Sequence, residues 1–122
     1  MPVNASRWRK NACEIIGSVA DENYQRAAWF GKSRFISSPE EVYNQVFDDL
    51  AFEEFVASPE VALNDLERAA AVALISKMRH FEEVAGEDLA PERVIDHPVW
   101  REVREAAQRV LDALQCPPSA EV

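Results

Sequence analysis

The sequence predicts an all-α, single-domain bundle of about five helices around a central hydrophobic helix. Only three glycines occur among 122 residues, while Ala, Glu, Leu, Arg and Gln, which favour helix, are abundant. No useful length of sequence alternates apolar and polar residues as a half-buried strand does. The chain is long enough to bury roughly two thirds of its unfolded surface, so it needs no metal or disulfide to fold.

The limits of the first two helices follow from the spacing of apolar residues and from two residues suited to begin or end a helix. Apolar residues recur at helical spacing over about residues 5–19, which predicts the first helix. Asp21 is suited to cap a short second helix, and Gly31 to end it, because glycine adopts positive φ without strain. Residues 32–37 are then expected to form a loop.

A strong start signal predicts the third helix. Ser38 can cap it, Pro39 fits its first position, and Glu41 can complete a capping box. The helix is expected to continue through a further turn and to end near Ser58. Its predicted buried stripe comprises Val42, Val46 and Leu50, flanked by Tyr43 and Phe47, and the further turn contains Phe52, Phe55 and Val56.

The fourth helix is predicted over about residues 65–85, from a capping box at Asn64 and Glu67 to a stop at Gly86. Between Ala69 and Ile75 it is apolar on nearly every side. That pattern is typical of a helix surrounded by others, so we expect this helix at the centre.

The last helix is predicted to start at Asp96-His97-Pro98, after a single turn opened by Pro91. One face should be buried and comprises Trp100, Val103, Ala107, Val110, Leu111 and Leu114. The other should be exposed and comprises Arg101, Glu102, Arg104, Glu105 and Arg109. The single domain spans residues 1–122, with a disordered tail expected over about 116–122.

Two features concern the compartment. Cys13 and Cys116 lie near opposite ends without a C-x-x-C motif, so both are expected to be reduced thiols. The apolar stretch near the N-terminus is short and interrupted by Glu14, unlike a signal peptide, and no apolar run is long enough to cross a bilayer. We therefore expect a cytoplasmic protein without membrane contact.

The net charge of -9 disfavours nucleic acid and anionic membranes as partners, since both are negatively charged. The charge is concentrated: residues 35–67 hold nine of the 22 acidic residues and none of the 13 basic ones, so the rest of the chain is neutral overall. These acids are Glu40, Glu41, Asp48, Asp49, Glu53, Glu54, Glu60, Asp65 and Glu67.

The acidic segment has two interpretations. It is either a solvated face that favours solubility or a docking surface that steers a basic partner. Phe52 and Phe55 are either its apolar anchors or core residues, as aromatic residues at helical spacing usually are. The candidate partner-binding residues are Glu40, Glu41, Asp48, Asp49, Phe52, Glu53 and Glu54.

No motif predicts catalysis, a metal site or a cofactor. His80-Phe81-Glu82 matches the H-x-E of zinc deaminases, but the P-C-x-x-C that must accompany it is missing. Neither histidine follows a glutamate by three residues, as di-iron bundles require. Asp96-His97 precedes Pro98, so a helix start explains it. Phosphate-binding and nucleophile motifs are lacking too.

The chain resembles small acidic bacterial immunity proteins of contact-dependent growth inhibition and polymorphic toxin systems. The resemblance rests on the order and spacing of short motifs over roughly residues 20–114, namely Tyr24-Gln25 followed by Trp29, Phe47-Asp48-Asp49, and Pro98-Val99-Trp100. It implies a helical fold, no catalysis, and inhibition by tight binding to a cognate toxin domain, often a basic nuclease. It carries over no contact residue.

We therefore expect an inhibitor that is monomeric alone and forms a heterodimer with its toxin. In this hypothesis the acidic segment covers the positively charged substrate cleft. The alternative is a non-enzymatic assembly or regulatory module that acts by protein–protein or homo-oligomeric contacts, with exposed Trp8 or Trp29 at the contact.

Overall fold

The computed structural model describes residues 4–32, 34, 36–87 and 89–117, and the regular structure of these residues is entirely helical. The all-α bundle predicted from the sequence is confirmed. Its helices are α1 (Ala5–Ala20), α2 (Glu22–Trp29), α3 (Pro39–Asn44), a π-helical turn (Gln45–Asp49), α4 (Phe52–Ala57), α5 (Asp65–Ala85), α6 (Pro91–Val94) and α7 (Pro98–Leu114).

Local signals set most of the helix ends. The Asp21 side chain caps α2 and that of Ser38 caps α3, as predicted. At the start of α5, Asn64 and Glu67 exchange both hydrogen bonds of a capping box, each 2.8 Å long. Gly86 ends α5 with a φ of 63°. These ends agree with the sequence because a cap needs only residues within one turn of each other.

The predicted continuous third helix is wrong, because the chain widens into the π-helical turn and then breaks at Leu50 and Ala51. Ala51 adopts the left-handed conformation, with φ 55° and ψ 54°. The break allows both Leu50 and Phe52 to be buried, which two residues separated by about 200° around one helix could not achieve. The Trp8 indole N–H donates to the Leu50 carbonyl at 2.8 Å and so ties the break to α1.

The helix at the centre of the bundle is α7, which packs against both α1 and α5. The expectation that α5 is central is wrong, since only one side of it is buried. Val72 and Ala73, inside its apolar stretch, are exposed, and Leu66 near its start is 71 % exposed. Alanines make up most of that stretch, and an exposed alanine costs little free energy. The apolar composition therefore predicted more burial of α5 than the structure has.

Arg104 was predicted on the exposed face of α7, and this is wrong. Its side chain lies in the core, where it donates to the Gln25 side chain at 3.4 Å and to the Ile95 carbonyl at 3.0 Å. Its guanidinium also lies 3.6 Å from the Glu22 carboxylate. These partners come from α2 and from the turn before α7, so helical periodicity within α7 gave no indication of them.

The two cysteines form a disulfide, which corrects the prediction of free thiols. Cys13 of α1 and Cys116 after α7 have Cα atoms 5.7 Å apart, within the usual range for a bridge. They are 103 residues apart in sequence, so only the packing of α7 on α1 brings them together. Cys116 is therefore held to α1 and is not part of a free tail, while residues 118–122 lie outside the described residues.

Candidate functional site: an acidic surface on α3, the π-helical turn and α4

Six predicted partner-binding acids lie on three consecutive pieces of backbone. We call their side chains the acidic surface, which comprises Glu40, Glu41, Asp48, Asp49, Glu53 and Glu54. The first two belong to the first turn of α3, the next two end the π-helical turn, and the last two belong to the first turn of α4. All six are exposed. The positions at helix N-termini are favourable for carboxylates because of the helix dipole.

Most of this negative charge is not neutralised within the described part of the chain. Glu53 forms an ion pair with Arg79 of α5, with Oε1 and Nη2 3.0 Å apart. Arg79 also lies 4.2 Å above the centre of the Phe47 ring and 3.3 Å from Glu82. The other five carboxylates of the acidic surface form no ion pair with described residues, so this surface presents a negative potential to solvent.

The backbone under the acidic surface is held by aromatic packing. Tyr43 and Phe47 stack with ring centres 6.0 Å apart. The Tyr43 hydroxyl donates to the Met78 carbonyl of α5 at 2.8 Å, and burial raises the pKa of this hydroxyl above its usual range. The surface is therefore presented from a fixed scaffold.

Phe52 was predicted as a partner-binding residue, and this is wrong, because its side chain is completely buried. Phe55 is completely buried too, and the two rings stack 5.9 Å apart. Trp8 packs edge-on against Phe55 at 5.5 Å. Both phenylalanines are core residues, and neither offers a contact to a partner. The break at Ala51 turns Phe52 inward, and the interpretation of both phenylalanines as core residues is confirmed.

The tryptophans named for the homo-oligomeric alternative are not free contact residues. Trp29 is only 7 % exposed and packs on Trp100, with ring centres 5.8 Å apart. Trp8 is half-buried, and its indole N–H is engaged by the Leu50 carbonyl. Trp29 is therefore not an exposed contact, and Trp8 is only partly exposed.

The histidines have structural surroundings. His97 Nδ1 accepts the Val99 backbone N–H at 3.1 Å, so His97 caps α7. Its neighbour Asp96 forms an ion pair with Arg26 at 2.7 Å, so Asp96 and His97 do not form a catalytic dyad. His80 lies 3.8 Å from Glu83. Over the ranges that the structure describes, His, Cys, Asp and Glu form no group of three placed to hold a metal ion.

No helix among the described residues combines the length and the apolar character needed to cross a bilayer.

Two residues were missed by the sequence reasoning. Arg79 neutralises Glu53 across 26 residues of sequence, and no local pattern indicates that pairing. Ile36 is 84 % exposed although it is strongly apolar. The signal that could have identified Ile36 was its position in a predicted loop, where no helical repeat assigns an apolar residue to the core.

Comparison with known proteins gives a family but no activity. No curated protein and no solved structure matches the chain. The model of one protein family matches residues 3–121, which is nearly the whole sequence. The chain belongs to that family, which is described as a domain of unknown function (DUF7945).

Proposed function

We propose that the protein is an immunity-type inhibitor that binds and neutralises a cognate bacterial toxin domain through the acidic surface. One observation carries the proposal: five of the six carboxylates are exposed and form no ion pair with described residues. Uncompensated like charges on neighbouring helical turns repel one another, so a basic partner would relieve a cost that the isolated chain bears.

The proposed mechanism is occlusion. A toxin that acts on nucleic acid carries a positively charged substrate cleft, because phosphate binding depends on Lys and Arg. The acidic surface would occupy this cleft and exclude the substrate. Long-range attraction raises the association rate, and close apolar contacts then slow dissociation. The inhibitor would be monomeric alone and heterodimeric with the toxin, with no cofactor and no nucleic acid.

Most of the motif residues behind the resemblance to immunity proteins lie in the core or pack against it. Gln25, Trp29 and Trp100 are all buried, and Gln25 and Trp29 both contact Trp100. Only Asp48 and Asp49, from the motif Phe47-Asp48-Asp49, are exposed acids. The assignment of the binding surface therefore depends on charge and exposure alone.

The test compares two triple charge reversals that change the net charge equally. In the first variant lysine replaces Asp48, Asp49 and Glu54, three acids of the acidic surface that form no ion pair with described residues. In the control variant lysine replaces three exposed acids outside this surface, Glu87, Glu92 and Glu105. The probe is an inactivated domain encoded by the gene next to that of this chain, and binding is followed by surface plasmon resonance over a range of salt concentrations.

We expect the first variant to associate at least about ten-fold more slowly and with a flatter salt dependence, while the control stays near the wild-type rate. Equal effects of the two variants would show that binding depends on the net charge of the chain and not on the acidic surface. Failure of the wild-type chain to bind the domain would contradict the proposed function.

A cytoplasmic location belongs to the same proposal, because an immunity protein must meet its toxin inside the cell. The Cys13–Cys116 bridge counts against it, since the cytosol keeps most thiols reduced. A cytoplasmic location and the bridge are compatible if the two cysteines are reduced in the cell and form the bond only after oxidation. Alkylation of the thiols at the moment of lysis, followed by mass spectrometry, tests this. Two modified cysteines would show that the bond is absent in the cell, and no modified cysteine would show that it is present there.

The second candidate is self-association, which the exposed side of α5 favours. Leu66 is 71 % exposed, and Val72 and Val84 are about half exposed, at 50 % and 49 %. A helix face of this kind can pack against a second copy. Light scattering at micromolar concentration separates the two candidates: a dimer that dissociates on Val72→Glu substitution favours assembly, and a monomer favours the inhibitor.

A further inference from the structure

Arg79 of α5 occupies a site that three other side chains form, one of which belongs to the acidic surface. Its guanidinium carbon lies 4.2 Å above the centre of the Phe47 ring. Its Nη2 donates to Glu53 Oε1 at 3.0 Å, and its Nη1 donates to Glu82 Oε1 at 3.3 Å. We call the side chains of Phe47, Glu53 and Glu82 the guanidinium site.

The composition of the guanidinium site suits the side chain of arginine in particular. A planar, delocalised cation lies well over an aromatic face, and its fixed fork of N–H groups reaches carboxylates to its sides. The ammonium group of lysine is a compact point charge and matches this arrangement less well. The ring is held by contacts other than that with Arg79, since Tyr43 stacks on Phe47 and its hydroxyl donates to the Met78 carbonyl.

Arg79 is held in the guanidinium site by interactions that water screens. Its side chain and those of Glu53 and Glu82 are each about half exposed, at 50 %, 53 % and 45 %. Exposed ion pairs of this kind contribute little to stability. An arginine from a partner protein brings a surface that excludes water, and the same contacts are stronger when they are desolvated. A guanidinium from outside can therefore replace that of Arg79.

The charges next to the guanidinium site favour a basic partner at this place. Asp48 and Asp49 follow Phe47 directly in the chain, and Glu54 follows Glu53. These three acids are exposed and form no ion pair with described residues. A partner that presents an arginine to the site thus finds further carboxylates for its neighbouring basic groups.

We propose that the guanidinium site binds an arginine of the basic partner protein, and that Arg79 is an internal competitor which this arginine displaces. The identity of the partner in this inference rests on the proposed function. A site that the chain itself occupies is open to a partner for only part of the time, which lowers the apparent affinity. Removal of Arg79 should therefore strengthen binding, although Arg79 contacts the binding surface.

The first test uses a peptide and does not need the natural partner. The probe is an acetylated tetra-arginine amide, compared with tetra-lysine of equal charge by isothermal titration calorimetry at low salt. Arg79→Ala empties the site, and Arg109→Ala is the matched control, because it removes an exposed arginine from α7. We expect Arg79→Ala to bind tetra-arginine about three- to ten-fold more tightly than wild type, and tetra-lysine less than about two-fold more tightly. Arg109→Ala should stay within about two-fold of wild type for both peptides.

A second readout locates the peptide without any substitution. In the ¹H spectrum of the wild-type chain, the side-chain signals of Arg79 should lie upfield, because the side chain lies over the Phe47 ring. Saturation with tetra-arginine should return them to the positions of a solvated arginine, and peptide side-chain signals should acquire the upfield shift instead. Arg79 signals that do not move would show that the peptide binds elsewhere, which overturns the inference.

The inactivated domain encoded by the neighbouring gene connects the guanidinium site to the proposed function. Arg79→Ala should lower the Kd for this domain by a factor similar to that for tetra-arginine, and Arg109→Ala should not. Unchanged or weaker binding by Arg79→Ala, or an equal gain for Arg109→Ala, overturns the inference and leaves the inhibitor role intact. Failure of the wild-type chain to bind the domain, with the peptide results as expected, contradicts the proposed function and leaves the arginine site in place.

Discussion

Gln25 accepts a hydrogen bond on Oε1 from the Trp100 indole at 3.1 Å, and this pair joins α2 to α7 inside the core. Gln25 is fully buried, and its amide nitrogen donates to the Ser18 and Val19 carbonyls at 3.0 and 2.7 Å. One side chain thereby connects the end of α1, α2 and α7. Networks of this kind are stabilising when every member is paired and costly when one partner is removed.

Gln25→Leu tests this network. The substitution keeps the volume but leaves the Trp100 N–H, the nearby Arg104 guanidinium and two carbonyls with fewer partners, so we expect a loss of about 3 kcal/mol in the free energy of unfolding. Urea denaturation followed by circular dichroism measures it. Gln108→Leu, on the exposed side of α7, should change stability by less than about 0.5 kcal/mol. Similar values for the two variants would contradict the importance of the network.

Ala51→Gly tests the break between the π-helical turn and α4. Ala51 has a φ of 55°, where glycine is less strained than alanine, and we expect a gain of up to about 1 kcal/mol after the entropy cost of glycine. Ala73→Gly, at an exposed position within α5, should instead lose about 1 kcal/mol. Chemical denaturation of both variants gives the comparison. A loss at position 51 as large as that at position 73 would contradict the left-handed conformation.

Reduction of the Cys13–Cys116 bond tests the tether between α1 and the end of α7. The bond spans 103 residues, and its removal enlarges the conformational freedom of the unfolded chain. We expect reduction, or the double Cys13→Ala and Cys116→Ala variant, to lower stability by about 2–5 kcal/mol. Thermal denaturation with and without reductant measures this. The double variant must be insensitive to reductant, and a wild-type chain equally insensitive would show that the bond adds no stability.

Glu22 supplies a prediction about pH. The hydrogen bond from Arg26, together with the charge of Arg104, holds the pKa of Glu22 below its ordinary value of 4.5. A lowered pKa in the folded state means that the ionised carboxylate adds stability above about pH 4.5, which is lost as the pH falls further and the group is protonated. Because the side chain is 45 % exposed, the effect is small.

We therefore expect Glu22→Gln to lower the melting temperature at pH 7 by at most about 3 °C, and this difference from wild type to close as the pH falls below the ordinary pKa of 4.5. Differential scanning calorimetry across this range is the measurement. Glu105→Gln, at an exposed position of α7, controls for the loss of one negative charge. A difference that stays constant with pH would mean that Glu22 acts through packing and not through its charge.

Features that depend on residues within one or two turns of each other could be predicted from the sequence. The caps at Asp21, Ser38 and Asn64, the stop at Gly86 and the start of α7 after His97 all follow the predicted positions. The concentration of acids in residues 35–67 was also visible, and all of these acids except the buried Glu67 are exposed, as expected from the cost of burying an unpaired charge.

Features that depend on which helix surfaces meet could be read only from the folded chain. It placed α7 and not α5 at the centre, buried Arg104 and Phe52, broke the third helix at Ala51, and joined Cys13 to Cys116. Each of these outcomes depends on partners far apart in sequence, and periodicity reports only the neighbours within one helix. For the candidate site, the sequence identified the acids, whereas the packing determined that Glu53 is paired, that Phe52 is inaccessible and that Ile36 is exposed.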